Sequence, residues 1–308
     1  MKKKTLRSDI LLILTSAIWG FAFVAQLVGM DHIGPYLYNG IRFALGSLSL
    51  LPLILIFGKG KKEKENVPPL KGKAILLAGI AAGTVLFLGA SLQQVGLQYT
   101  TAGKAGFITG LYVILVPILG IAMRHKTGVP TWVGALFAAT GLYLISVKGG
   151  FQIGKGDLLI LACSIFFAMH VLTIDHFSKK IDPLVLSAIQ FAVCSLLSFT
   201  VAFFREPVIL EDILKATIPI LYGGLGSVGV AYTLQVVAQK EAPPAHSAII
   251  MSLESVFAVL GGIIFLAEGM SVRGYIGCGL MLLGMLASQW DVIFRNKKKF
   301  LKKNQNIA

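Results

Sequence analysis

Ten stretches of this 308-residue chain are long and apolar enough to cross a lipid bilayer, and that pattern restricts its architecture more than any other feature. A hydrocarbon core about 30 Å thick takes about 20 residues of helix. The runs fall near residues 9–28, 34–57, 73–97, 101–123, 129–147, 157–176, 183–204, 214–238, 244–266 and 272–293. Hydrophobic residues make up 56% of the chain and charged ones 14%, too much apolar surface for one water-soluble core to hide. The expected fold is all-α and polytopic, with ten transmembrane helices.

The net charge of +14 excludes a nucleic-acid partner once its distribution is read, because the basic residues form short blocks between apolar runs and are not interleaved with aromatics on a polar surface. The blocks report topology instead, since cytoplasmic loops carry the excess of lysine and arginine. With the N-terminus inside, 21 basic residues fall in cytoplasmic segments and five outside, namely Lys148, Lys155, Arg205, Lys215 and Arg273. Both termini are then cytoplasmic, which requires an even number of spans. The segment from Lys59 to Lys73 and the tail from Arg295 can rest on anionic lipid, at about 1 kcal/mol per basic residue, although topology alone explains them. Lys2, Lys3, Lys4 and Arg7 imitate the start of a signal peptide, but no small-residue cleavage site follows and the first run is expected to be retained. Cys163, Cys194 and Cys278 all sit in apolar runs without metal-ligand spacing and read as packing residues.

An internal repeat organises the chain. Ile33 to Leu48 (IGPYLYNGIRFALGSL) and Ile181 to Leu196 (IDPLVLSAIQFAVCSL) share Ile, Pro, Ile, Phe, Ala, Ser and Leu at one offset. At that same offset DILLILTS from Asp9 meets DLLILACS from Asp157. After a small deletion Leu92, Gln93 and Val95 meet Leu234, Gln235 and Val237, and Gly134 and Gly141 meet Gly277 and Gly284. The units are residues 1–150 and 151–293, followed by a basic tail, 294–308. Five spans per unit is an odd number, so the second unit enters the membrane inverted. Inverted repeats meet about a pseudo-two-fold axis in the membrane plane, and rocking between them exposes a midplane site to either side.

These residues resemble the drug/metabolite transporter superfamily and its ten-helix EamA-type carriers. The resemblance rests on Trp19-Gly20 in the first helix, Arg42-Phe43 in the second, YTTAGKAGF from Tyr99, SLESVFAVLGGIIFLAE from Ser252 and GCGLMLLGMLAS from Gly277. It covers nearly the whole chain and implies two five-helix domains that export or exchange metabolites, amino acids or drugs. Family members often carry proline where this chain has Ser255, which implies a straighter ninth helix here.

An ionisable group at mid-bilayer depth costs roughly 2.5 to 3.5 kcal/mol on insertion scales, so it faces protein or water. Glu254 lies about 15 Å into the ninth span, where it either carries a proton or counters a cationic substrate group, or forms a structural hydrogen bond between helices. Arg42, about 12 Å below the external surface, can clamp a carboxylate or phosphate, or pair with helix-end carbonyls. Asn39 shares its helical face, and Ser187 and Gln190 repeat the spacing at the aligned positions, which points that face to the interface between halves. Inversion places Gln93 near the outer end of the third span and aligned Gln235 near the inner end of the eighth, as gate-level contacts or as packing. Trp19 and Tyr112, the latter aligned with Glu254, are pathway aromatics or core, and His170 can titrate near neutrality or simply bond a neighbour. Lys104 and His246 align at the starts of the fourth and ninth spans, where solvation accounts for them. The glycine pairs Gly79/Gly83 and Gly106/Gly110 let helices approach, within the monomer or between subunits.

HExxH, GxSxG, P-loop and paired acidic metal motifs are missing from the sequence, so it offers an enzyme reading little and names no cofactor. The expected function is secondary transport of a small solute by alternating access, either driven by protons through Glu254 or running as facilitated diffusion or solute exchange with Glu254 merely structural. A facilitative channel or membrane sensor is the alternative, a membrane-embedded enzyme a more remote one. The expected setting is the inner cell membrane, and the expected partners are solute and lipid, for a monomer or homodimer.

Overall fold

The computed structural model describes residues 2–57, 72–124, 127–146, 154–266 and 271–288, and all its regular elements are helices. The basic segment from Lys59 to Lys71 and the tail 294–308 lie outside the described residues. Three long helices open the chain: α1 (Lys2–Met30), α2 (Pro35–Phe57) and α3 (Lys73–Leu97). The fourth run is divided into α4 (Ala102–Gly110) and α5 (Tyr112–Ala122), and α6 (Val129–Ser146) ends the first half. The second half has α7 (Lys155–Ser178), α8 (Pro183–Arg205), short α9 (Leu210–Lys215) and α10 (Thr217–Leu221), a π-helix (Tyr222–Tyr232), α11 (Thr233–Gln239), α12 (Pro244–Met251), α13 (Glu254–Leu266) and α14 (Val272–Ser288). Eight of the ten expected runs are helices long and apolar enough to span a membrane; the stretches Val129–Gly141 and Val272–Gly284 are shorter.

Local chemistry sets the helix starts. Pro35 and Pro183 occupy aligned first-turn positions, where a missing N–H costs nothing. The amides that follow are satisfied differently. Asp182 caps its own helix by accepting from Leu184 N and Val185 N, whereas Tyr36 N and Leu37 N donate to the carboxylate of distant Glu206 at 2.9 and 2.7 Å. The end of α8 is thereby tied to the start of α2.

The ninth run is not straight. Without a proline, it breaks at Ser252–Leu253, where Ser255 N bonds Ser252 O in a tightened turn. Leu111, aligned with Leu253, separates α4 from α5 in the same way. The expectation drawn from Ser255 fails because the interruption comes from turns around Leu253, not from a missing amide.

Large apolar side chains cover the outside, among them Leu55, Phe203, Ile218 and Val272. That is the surface expected of a chain dissolved in lipid. Inside, helices of one half pack on helices of the other: α2 on α8, α6 on α14, α3 on α7 and α8, and α1 on α13 and the π-helix. Two of these seams are reciprocal. Ser47 Oγ donates to Ala188 O at 2.9 Å and Ser195 Oγ donates to Gly40 O at 2.8 Å. Ser47 aligns with Ser195 and Gly40 with Ala188, so this is one bond made twice. Between them the aligned rings of Phe43 and Phe191 stand 6.2 Å apart. On the second seam a side chain at Gly141 would meet Gly277 O, and one at aligned Gly284 would meet Gly134 O. Both helix pairs therefore run antiparallel.

The small-residue pair Gly79/Gly83 packs within the monomer, against Ile189 and Val193 of α8. A Cβ at Gly83 would stand 2.7 Å from Gln190 O, a backbone atom that cannot turn away. Gly83→Val is expected to destabilise the bundle by about 1–3 kcal/mol. A lower thermal transition in detergent checks this. Cys163 and Cys194 are buried free thiols in the core.

Candidate functional site

The seams converge on a small central cavity of about 30 Å³, measured as the space open to the centre of a water molecule. Of the sequence candidates, Trp19, Arg42, Gln93, Tyr112, His170, Gln235 and Glu254 line it, drawn from both halves. Asn39, Ser187 and Gln190 do not reach the wall, but all three are fully buried. Two of them hold residues that do.

Arg42 sits on α2 and is 2% exposed. Its Nε donates to Asn39 Oδ1 at 2.9 Å, and Asn39 Nδ2 in turn donates to Ala90 O at 3.2 Å. The guanidinium carbon lies 4.9 Å from the centre of the Phe43 ring and 5.6 Å from that of Tyr38. Among the described residues, no carboxylate lies within salt-bridge distance. One edge of the group is fixed, and among the described residues its charge stands without a counter-ion.

At the aligned position Gln190 replaces the arginine, and its Oε1 stands 2.8 Å from His170 Nε2. Asn39/Arg42 and Ser187/Gln190 thus share a spacing and diverge in partner. Ser187 Oγ and Gln190 Nε2 are buried without a hydrogen-bond partner.

Glu254 opens α13 directly after the break, 4% exposed. Its carboxyl stands beside the Tyr112 hydroxyl, and Glu254 Oε1 and Tyr112 OH are both buried without a hydrogen-bond partner of good geometry. The aligned residues from the two halves therefore meet each other. Gln93 Nε2 donates to Thr109 Oγ1 at 3.1 Å and Gln235 Nε2 to Gln239 Oε1 at 2.9 Å. Both glutamines line this one cavity.

Sequence reasoning missed Tyr232. It is the centre of the aromatic wall, with ring centroids 4.5 Å from Trp19, 6.1 Å from Phe43, 6.0 Å from Phe191 and 6.0 Å from His170. Its place three residues before Gln235, on the same helical face, was the available signal. The π-helix that ends at Tyr232 gives up carbonyls to α1: Trp19 Nε1 donates to Ser227 O at 3.2 Å and Thr15 Oγ1 to Ala231 O at 3.2 Å. Such segments concentrate at functional sites.

The sequence also gave no partner to Lys104 or His246. Lys104 Nζ bonds Asp157 Oδ2 at 2.6 Å, and His246 Nε2 stands 2.8 Å from Asp9 Oδ1. Among the described residues, no group of three His, Cys, Asp or Glu side chains is placed to hold a metal ion.

Comparison with known proteins agrees with this architecture. Residues 6–147 and 154–288 each match the EamA-like transporter family. A protein of Archaeoglobus fulgidus named as an uncharacterized transporter is 33% identical over 284 residues, covering 92% of this chain and 86% of its own. The Bacillus subtilis transporter YetK, also named as uncharacterized, is 26% identical over 303 residues, covering 93% and 88%. A crystal structure 17% identical in sequence superposes with a TM-score of 0.73 over 92% of this chain and 96% of its own, which shows a shared fold. With a family match in each half, a 33% identical relative along most of its length and an apolar helical bundle around a polar cavity, this chain belongs to the EamA-like transporter family, as a multi-pass membrane protein.

Proposed function

We propose that the protein is a secondary carrier of ten spans in two inverted repeats, moving a small metabolite, amino acid or drug-like solute by alternating access through the central cavity. Arg42 holds an anionic group of the solute, and Glu254 carries the coupled proton. The observation that carries this reading is the pair of ionisable side chains on one buried cavity wall, neither with an ionic partner among the described residues. A solute and a proton are the missing partners. The reciprocal antiparallel seams support the inverted relation, since two halves that exchange contacts in this way can tilt about a common centre. The basic-residue bias supports cytoplasmic termini and an inner cell membrane.

The test is flux into liposomes carrying the purified protein, with pooled labelled amino acids and metabolites, with and without a pH gradient. Saturable flux that follows the gradient is expected. Saturable flux indifferent to pH removes the proton from the mechanism. Flux that never saturates and shows no counter-transport marks a channel and overturns the carrier.

A further inference from the structure

The contacts of Lys104 and His246 form a second reciprocal set, at the ends of the pathway. Asp9 aligns with Asp157 at the repeat offset, and His246 with Lys104. Each pair joins one half to the other: Asp9 on α1 to His246 on α12, and Asp157 on α7 to Lys104 on α4. Following the chain places the pairs at opposite ends. Gln94 Nε2 reaches Gln26 O, so α3 ends beside the end of α1, and Lys104 follows seven residues beyond α3. Asp9 is 17 residues back along α1 from Gln26, about 26 Å at the helical rise. The cavity lies between.

The elements that carry the basic partners are separate short segments. α4 and α12 are short helices, set off from α5 and α13 by the breaks at Leu111 and Ser252–Leu253. Each reaches the cavity with its last turn, through Thr109 and Met251. Asp157 also accepts from Thr100 Oγ1 at 3.3 Å, just ahead of α4, and from Gly154 N at 2.8 Å, which caps its own helix. The Asp9–His246 pair is buried, with side chains 10% and 6% exposed, whereas Lys104 is 38% exposed beside a 7% exposed Asp157. Short segments set off by helix breaks and held at their free ends by ionic contacts are what a closure at each end of a pathway requires.

We propose that Asp9–His246 and Asp157–Lys104 are the two gates of the pathway, broken in turn as it opens to one side and then the other. The proposal rests on the carrier reading and adds its moving parts. Both pairs are made in this structure.

The test reads access to the cavity and needs no substrate. A cysteine replaces Ser227 on the cavity wall, in protein whose three native cysteines are alanine. A membrane-impermeant thiol reagent is then applied to vesicles of known orientation, from either face. Asp9→Asn is expected to raise the labelling rate at least about tenfold from the face where α1 begins, and Asp157→Asn from the opposite face, a factor equal to about 1.4 kcal/mol. The exchanged pair Lys104→Asp with Asp157→Lys is expected to return the rate to that of the parent. Should Asp157→Asn fail to fold, because Asp157 also holds Gly154 N, Lys104→Gln leaves that bond in place and reads the same gate. Rates unchanged by either neutralisation, or raised from the wrong face, overturn the gates. Equal labelling of the parent from both faces marks an open pore and overturns the carrier reading itself.

Discussion

Glu254→Gln is expected to cut accumulation driven by a pH gradient at least about tenfold while exchange of solute for solute continues. The side chain begins α13 at a helix break, its Oε1 buried without a partner of good geometry and its carboxyl beside the Tyr112 hydroxyl. A glutamine fills the same space and keeps a carbonyl for Tyr112, but cannot gain or lose a proton. The carboxyl has two charge states, and among the described residues no basic group pairs with the charged one, so what enters the cavity decides between them. A tenfold loss corresponds to about 1.4 kcal/mol of coupling, modest for a charge at this depth. Proteoliposome uptake with and without the gradient checks it. An undiminished response in Glu254→Gln removes the proton role and leaves Glu254 as a structural group.

Arg42→Gln is expected to raise the half-saturation concentration of an anionic or zwitterionic solute by about 30-fold or more, since removing one member of a buried ionic contact costs about 2–5 kcal/mol. Arg42→Lys is not expected to restore affinity. Nε is committed to Asn39 and the planar face lies against Phe43 and Tyr38, which leaves the two terminal nitrogens to meet a carboxylate side by side. A lysine ammonium has neither the fork nor the flat face. Initial rates over a concentration series give the shift, and thermal transitions in detergent separate it from misfolding. An unchanged half-saturation in a folded Arg42→Gln protein assigns Arg42 to packing.

The helical architecture and the repeat were legible because they are long-wavelength properties: 20-residue apolar runs and identities kept in order survive local uncertainty. Arg42 and Glu254 stood out because a charge within such a run is costly and rare. Tyr232 did not, because an aromatic in an apolar helix looks the same whether it faces a core or a cavity. The break at Ser252–Leu253 was hidden since it depends on turn geometry with no proline or glycine to mark it. Lys104 and His246 were dismissed for standing near water. Each was seen as a single residue, yet the aspartates that bind them sit at the aligned positions where DILLILTS and DLLILACS begin. Pairing across the repeat, rather than along one helix, was the signal.

The twin bonds between Ser47 and Ala188 and between Ser195 and Gly40, on either side of the Phe43–Phe191 contact, make the α2–α8 seam work like a balanced beam. Pulling the two helices apart lengthens both bonds together, whereas tilting them about the ring contact lengthens one as it shortens the other, so the seam couples what happens at its two ends.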